Sequence, residues 1–155
     1  MTNPLDALAG VANAAAPLPN LLTGGQPSAR HLEALKNAGV LVILDIRDPM
    51  EPRPFDEPAT ASQLGLEYIN VPVSAGTLDD PTLERILNVV RSNASRSLLF
   101  HCASGNRVGG ALLPHFILDH GMTEDDAVGA AMRIGLRGAE YLQWGLDYAR
   151  RKAPE

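Results

Sequence analysis

The 155-residue sequence has one cysteine and no basic run longer than the three residues 150–152, and these two features restrict its chemistry. A single cysteine cannot form an internal disulfide, and it also excludes a redox or metal site built on paired cysteines. The formal charge of -5, without a basic cluster, argues against a nucleic-acid partner. No stretch approaches the roughly 20 apolar residues of a membrane span, and the start lacks the basic region of a signal peptide. We therefore expect a cytoplasmic protein that binds neither nucleic acid nor membranes.

What the sequence does contain is the composition of an ordinary folded domain, with 45% hydrophobic and 20% charged residues. Its length fits one domain and is sufficient to bury a core without a disulfide or a structural metal. An Ala/Pro-rich stretch leads into a Gly-Gly-Gln-Pro turn at residues 24–27. We predict an N-terminal arm over residues 1–19 and one domain over residues 20–152. Nothing in the sequence indicates an oligomeric state.

Strand and helix signals alternate along the domain. A continuous apolar run at residues 40–44 and the largely apolar segments 68–73 and 97–101 predict strands, and an apolar stripe with helical spacing lies between the last two, at residues 83–90. This alternation predicts an α/β fold with a mostly parallel sheet of about four strands and helices on both faces. Ligands of such sheets bind at the carboxyl ends of the strands, where Cys102 lies.

Cys102 begins a short loop between a predicted strand and a predicted helix. A thiol with the reference pKa of about 8.5 is mostly protonated at neutral pH, so a nucleophilic cysteine needs positive charge or aligned donors nearby. The backbone N–H groups of residues 103–107, the helix N-terminus and the Arg107 guanidinium can supply both, and Gly105 permits close approach to an anion. The pattern favours a reactive cysteine above an anion site. The alternative is a small buried hydrophobic residue that ends a strand.

The loop has the pattern H-C-x-x-G-x-R, formed by His101, Cys102, Ala103, Ser104, Gly105, Asn106 and Arg107. This pattern resembles the signature of cysteine-dependent protein phosphatases. The span from residue 20 to about 142 resembles the beta-lactamase hydrolase-like phosphatase domain family, which also matches at residues 22–28, 42–47 and 71–73. The resemblance implies a dual-specificity-phosphatase-like fold and a protein tyrosine or dual-specificity type of activity.

The resemblance also implies a role for each loop residue. Cys102 would be the nucleophile that forms a phosphocysteine intermediate, Arg107 would clamp the oxyanion, and His101 would set the loop without touching substrate. The phosphate would be held by the backbone amides of Ala103, Ser104, Gly105, Asn106 and Arg107. The implied substrate is a phosphorylated protein or a small phosphoester, and neither a metal nor another cofactor is required.

Two features of the loop depart from the tyrosine-phosphatase pattern. Four residues separate Cys102 from Arg107 where tyrosine phosphatases have five, and Val108 occupies the position of the usual Ser or Thr that helps the thiolate leave. The four-residue spacing is also that of rhodaneses, sulfurtransferases whose cysteine carries a persulfide. A rhodanese-like sulfurtransferase and a non-catalytic anion-binding module therefore remain the alternatives.

The resemblance implies that the general acid lies on the loop that follows the strand before the catalytic one, which is residues 74–80. Asp79 and Asp80 are the candidates, although either could instead cap the helix that follows. Asp48 and Asp56 are weaker candidates on a proline-rich loop. His115 and Asp119 share a helix face, but two ligands without a third do not form a metal site, so no metal is predicted.

Overall fold

A five-stranded sheet forms the centre of the computed structural model, which describes residues 3–154. Its strands are β1 (Ala15–Leu18), β2 (Leu21–Gly24), β3 (Val42–Asp45), β4 (Glu67–Asn70) and β5 (Leu98–His101). Their order across the sheet is β1-β2-β5-β3-β4, with β1 antiparallel to β2 and the other strands parallel. The predicted α/β fold with a mostly parallel sheet is confirmed.

The additional strand comes from the segment that the sequence predicts as an arm. Pro4–Leu8 form a 3-10 helix whose Leu8 is 1% exposed, and β1 then pairs with β2 through a tight turn at Asn20, which has a φ of 64°. Prolines within β1 and just after it hide the strand signal, since proline is confined to edge strands and strand ends. The residues ahead of position 20 thus pack on the domain and close one edge of its sheet.

Helices cover both faces of the sheet. They are α1 (Ala29–Asn37), α2 (Glu57–Leu64), α3 (Asp80–Ser92), α4 (Asn106–Pro114), α5 (Glu124–Arg133) and α6 (Ala139–Lys152). Alternate strand residues face opposite sides, so Ile43 and Leu99 join the core under α1 and α2, while Leu44 and Phe100 join the core under α3 to α6. No helix among residues 3–154 combines the length and the apolar character that crossing a bilayer demands.

Helix α4, which starts at the cysteine loop, is buried along nearly its whole length. It packs closely on α6, where a Cβ at Gly145 would lie 2.1 Å from the carbonyl oxygen of Gly110. The regular helix ends at Pro114, and a π-helical turn, His115–Asp119, follows it. Proline lacks the N–H that would continue the ladder, which accounts for the change of helix type at this residue. The helix therefore gives the loop a rigid support.

Candidate active site

Cys102 follows β5 at the carboxyl ends of the parallel strands, between the loops that leave β2 and β3. The strand register aligns His101 with Gly24 on one side and Asp45 on the other. The Cys102 N–H donates to the carbonyl oxygen of Gly24 at 3.3 Å. Cys102 is only 1% exposed, so its side chain lies at the bottom of the site.

Gly105 allows the loop to turn and lets an anion approach its backbone. Its φ of 98° lies in the left-handed region, and a Cβ at this position would lie 2.3 Å from the carbonyl oxygen of Ile134. The Gly105 N–H donates to Cys102 Sγ at 3.1 Å. Helix α4 begins at the next residue, and Gly105 has no side chain to cap it. The first N–H groups of the helix are thus left for an anion, next to the sulfur atom.

Neighbouring segments bind the outer side of the loop. The Gln26 N–H donates to the Ala103 carbonyl at 3.1 Å, and the Asn13 side chain donates to the Ser104 carbonyl at 2.6 Å. The Asn106 side-chain oxygen accepts from the N–H groups of two residues, Arg137 at 2.8 Å and Gly138 at 2.9 Å. These contacts satisfy the loop carbonyls and hold the loop in one conformation.

Arg107 lies beside the cysteine loop with one edge of its guanidinium already paired. Its Nη1 and Nη2 donate to the two carboxylate oxygens of Glu51 at 2.7 and 2.9 Å, and Nη1 also donates to the Val73 carbonyl at 3.2 Å. Of the five N–H groups of a guanidinium, Nε–H and one N–H of Nη2 have no acceptor among residues 3–154. These two donors form an adjacent pair, which is the geometry that bidentate binding of an oxyanion requires.

Glu51, on the proline-rich loop after β3, is a site residue that the sequence analysis did not identify. Its carboxylate accepts from Arg107, from Arg47 Nε at 3.2 Å and from the Asp48 N–H at 2.6 Å. The hydrogen bond from Arg107 is the main cause that lowers the pKa of Glu51 from 4.5 to about 2. Its local sequence offers only an i,i+4 spacing to Arg47, which does not reveal a partner 56 positions away.

His101 is fully buried behind the cysteine. Its Nε2 lies 2.6 Å from a carboxylate oxygen of Glu57, and its Nδ1 lies 3.1 Å from the Cys102 carbonyl oxygen. Burial lowers the pKa of His101. The hydrogen bond to Glu57 and the charges of Glu57 and Asp45 raise this pKa by more than burial lowers it, so the net shift is upward. The imidazolium thus donates one N–H to Glu57 and the other to the backbone of the nucleophile.

Asp45, Glu57 and His101 form a buried cluster whose ligand atoms lie within 4.8 Å of one another. Arg53 pairs with Asp45 and lies 3.5 Å from Glu57, and the Tyr68 hydroxyl donates to Asp45 at 2.5 Å. The two carboxylates are therefore balanced by two cations, the guanidinium and the imidazolium. This balance accounts for the buried charges without a metal ion.

Asp79 and Asp80, the predicted acids, lie at the start of α3. The Asp79 carboxylate caps the helix by accepting the Thr82 N–H at 2.9 Å through Oδ1. Asp80 forms a bidentate ion pair with Arg151 on α6 at 2.5 and 2.8 Å. Hydrogen bonds from the Thr82 side chain and N–H lower the pKa of Asp79, and one from the Arg151 side chain lowers the pKa of Asp80. Both oxygens of Asp80 are thus engaged by a guanidinium, whereas the Asp79 carboxylate has no partner other than Thr82 within residues 3–154.

A match between the sequence and a family model identifies the family of this chain. The family model described as "DSP-PTPase phosphatase fused to NAD+ Kinase" matches residues 13–139, which is most of the chain. The chain belongs to this phosphatase family. The resemblance of its cysteine loop to those of the cysteine-dependent phosphatases is confirmed. A search among curated proteins found no match.

Solved structures of other phosphatases share the fold of this DSP-PTPase domain. A phosphatase (DUF442) from Shewanella putrefaciens aligns with a TM-score of 0.79 at 19% identity, over 97% of this chain and 99% of the other. The catalytic core of the PP-IP phosphatase SIW14 from S. cerevisiae, in complex with citrate, gives 0.74 at 17% identity, over 91% and 90%. A Cys→Ser variant of P. aeruginosa TpbA in complex with pTyr gives 0.66 at 19% identity, over 96% and 94%. At these identities the similarity establishes the fold.

Proposed function

We propose that this domain hydrolyses phosphomonoesters with Cys102 as the nucleophile. The observation that carries the proposal is the arrangement around the sulfur atom. The Gly105 N–H donates to Cys102 Sγ at 3.1 Å, at the uncapped N-terminus of α4. Arg107, on the first turn of that helix, keeps a two-donor edge free. Together these groups favour a thiolate and can bind the oxygens of a phosphoryl group above it.

The reaction consists of two displacements at phosphorus. The Cys102 thiolate attacks in line and forms an S–P bond, while the P–O bond to the leaving group breaks and its oxygen takes a proton from a carboxylic acid. Water then attacks the phosphocysteine and gives a proton to the carboxylate left by the first step, while the S–P bond breaks and phosphate leaves with the thiolate restored. Arg107 and the backbone amides of residues 103–107 stabilise the charge on the equatorial oxygens in both steps.

We propose Asp79 as the acid of the first step. The bidentate contact with Arg151 engages both oxygens of the other candidate, Asp80. Asp79 uses one oxygen to cap α3, which leaves the second for a leaving group. Asp79→Asn should therefore slow hydrolysis of an ester with a poor leaving group by about 10²-fold or more, and Asp80→Asn should not.

The substrate class follows from the family and from the structural relatives. The pTyr bound to the TpbA variant supports a phosphorylated protein. The family description links this phosphatase to NAD+ kinase, whose product NADP+ bears a phosphomonoester on the ribose. A substrate panel should therefore include a phosphotyrosine peptide and NADP+, with p-nitrophenyl phosphate as the generic ester.

Phosphate release from p-nitrophenyl phosphate by wild type and Cys102→Ser tests the mechanism directly. Wild type should release phosphate and Cys102→Ser should not. Arg107→Lys retains the charge but loses the two-donor edge, so kcat/KM should fall by about 10²-fold or more. Arg91→Lys is the matched control, because this arginine pairs with Asp119 and contacts no residue of the cysteine loop. Phosphate release by Cys102→Ser would refute the cysteine mechanism.

The four-residue spacing between Cys102 and Arg107 supports a second candidate, a rhodanese-like sulfurtransferase with a persulfide on Cys102. Thiosulfate-to-cyanide transfer in the same variants separates the two reactions. Sulfur transfer that depends on Cys102, without phosphate release, would replace the phosphatase proposal. If neither reaction occurs but vanadate protects Cys102 from alkylation, the domain is a non-catalytic anion-binding module.

A further inference from the structure

Gln26 belongs to the Gly-Gly-Gln-Pro segment that the resemblance highlights, and the chemistry described above does not use it. The segment follows β2 and lies against the cysteine loop, where a Cβ at Gly25 would be 2.5 Å from the Ala103 carbonyl oxygen. The absence of a side chain at Gly25 therefore lets the two backbones approach. The Gln26 N–H completes this contact by donating to the Ala103 carbonyl at 3.1 Å.

The side-chain amide of Gln26 joins two charged groups from different segments. Its Nε2 donates to a carboxylate oxygen of Glu57 at 2.7 Å, and its Oε1 accepts from Arg47 Nη1 at 2.8 Å. Nε2 also lies 2.9 Å from the Pro27 carbonyl oxygen. A carboxylate can only accept and a guanidinium can only donate, so a neutral group between them must do both. A primary amide does so in one orientation, because the reversed amide would place its oxygen against the carboxylate.

Each of these two charged groups is connected by further hydrogen bonds to one of the two proposed catalytic residues, Cys102 or Arg107. Glu57 holds His101 at 2.6 Å, and His101 contacts the Cys102 carbonyl oxygen. On the other side, Arg47 holds Glu51 at 3.2 Å. Glu51 in turn holds Arg107 through two hydrogen bonds. An uninterrupted chain of hydrogen bonds therefore connects the nucleophile to the oxyanion clamp, with Gln26 at its midpoint.

We propose that Gln26 is a positioning residue that aligns Cys102 with Arg107, an inference that rests on the proposed phosphatase function. It acts through Glu57 on the nucleophile and through Arg47 on the clamp, without touching substrate. Without its amide, Glu57 keeps only His101 and the more distant Arg53, and Arg47 loses one of its three partners. Both halves of the pair would then shift relative to each other, and displacements of about 1 Å at a reacting group cost up to about 10²-fold in rate.

Three variants test the role of Gln26. Gln26→Met preserves the length of the side chain but neither donates nor accepts. Gln26→Glu still accepts from Arg47 but can donate to Glu57 only while its carboxyl group carries a proton. Asn93→Leu is the matched control, because Asn93 is also a side-chain amide with hydrogen bonds to two other groups, to the Val89 carbonyl at 2.8 Å and from Arg96 at 3.0 Å. It caps the end of α3, near the amino end of β5.

The readouts are kcat and KM for p-nitrophenyl phosphate and the pH dependence of Cys102 alkylation by iodoacetamide. Gln26→Met should lower kcat/KM by at least about tenfold and shift the alkylation midpoint to higher pH. Gln26→Glu should approach wild type below about pH 4, where a glutamate carboxyl is mostly protonated, and act as Gln26→Met well above that pH. Two charged groups, Glu57 and Arg47, contact the Gln26 amide directly. The next charged groups are His101, Arg53 and Asp45.

A purely structural role predicts a different result. If Gln26→Met loses stability to urea as Asn93→Leu does, yet keeps the wild-type alkylation profile and kcat/KM, Gln26 does not position the site. Alkylation and its suppression by vanadate require no turnover. If wild type hydrolyses no phosphoester, the proposed function fails, and the alkylation profiles still decide the role of Gln26.

Discussion

Replacing Glu51 by glutamine should remove about 2 kcal/mol of stability at pH 7, because the Glu51 carboxylate is held by Arg107, Arg47 and a backbone N–H. These contacts lower the pKa of Glu51 from 4.5 to about 2. At about 1.4 kcal/mol for each tenfold change in proton affinity, this difference corresponds to about 3 kcal/mol. The side chain is 28% exposed, and solvent screening reduces the value to about 2 kcal/mol.

The same pKa fixes how this contribution changes with pH. The folded-state pKa lies below the unfolded value, so the contribution is complete above pH 4.5 and is lost as the pH falls toward 2. Glutamine does not titrate in this range. The difference in unfolding free energy between wild type and Glu51→Gln should therefore shrink from about 2 kcal/mol at pH 7 to about 1 kcal/mol near pH 3.5.

Urea denaturation followed by circular dichroism at both pH values measures this difference, in a Cys102→Ser background that prevents oxidation. Glu124→Gln is the control, because Glu124 also forms a bidentate pair, with Arg150, but at the exposed surface. It should lose little stability at either pH, as is usual for exposed pairs. Equal losses in the two variants at pH 7, or a Glu51→Gln difference that does not change with pH, would refute the reasoning.

Gly25→Ala should cut kcat/KM by about 10²-fold by displacing the cysteine loop. Gly145→Ala, whose Cβ would clash between α4 and α6, should destabilise the fold by about 1 to 3 kcal/mol with a much smaller effect on turnover. Urea unfolding combined with p-nitrophenyl phosphate kinetics distinguishes the two, and equal turnover would contradict the prediction. Val108→Thr restores the hydroxyl that typically helps the thiolate leave, so the burst of p-nitrophenol in wild type should shrink and kcat should rise. An unchanged burst would show that the second step does not limit turnover.

The strand-to-helix junction at Cys102 could be predicted because its signals are local. Three large apolar residues, a cysteine, a glycine and an arginine occur within the ten positions 98–107, and the backbone of such a segment has few ways to fold. The N-cap at Asp79 was predictable for the same reason. Strands β1 and β2 were not located, because Pro17, Pro19 and the turn residues at 24–27 are typical of loops, and only pairing in the sheet makes these segments strands.

The sequence by itself therefore determined how Cys102, Arg107 and the turn between them are placed, since all three lie within six contiguous residues. Only the tertiary structure decided what surrounds them. Glu51 and Glu57 come from a loop and a helix that the strand order β5-β3-β4 brings beside Cys102, and Gln26 comes from the other neighbouring strand. The spacing of residues along one chain does not encode which carboxyl ends meet, because that depends on how the buried faces of all the strands pack together.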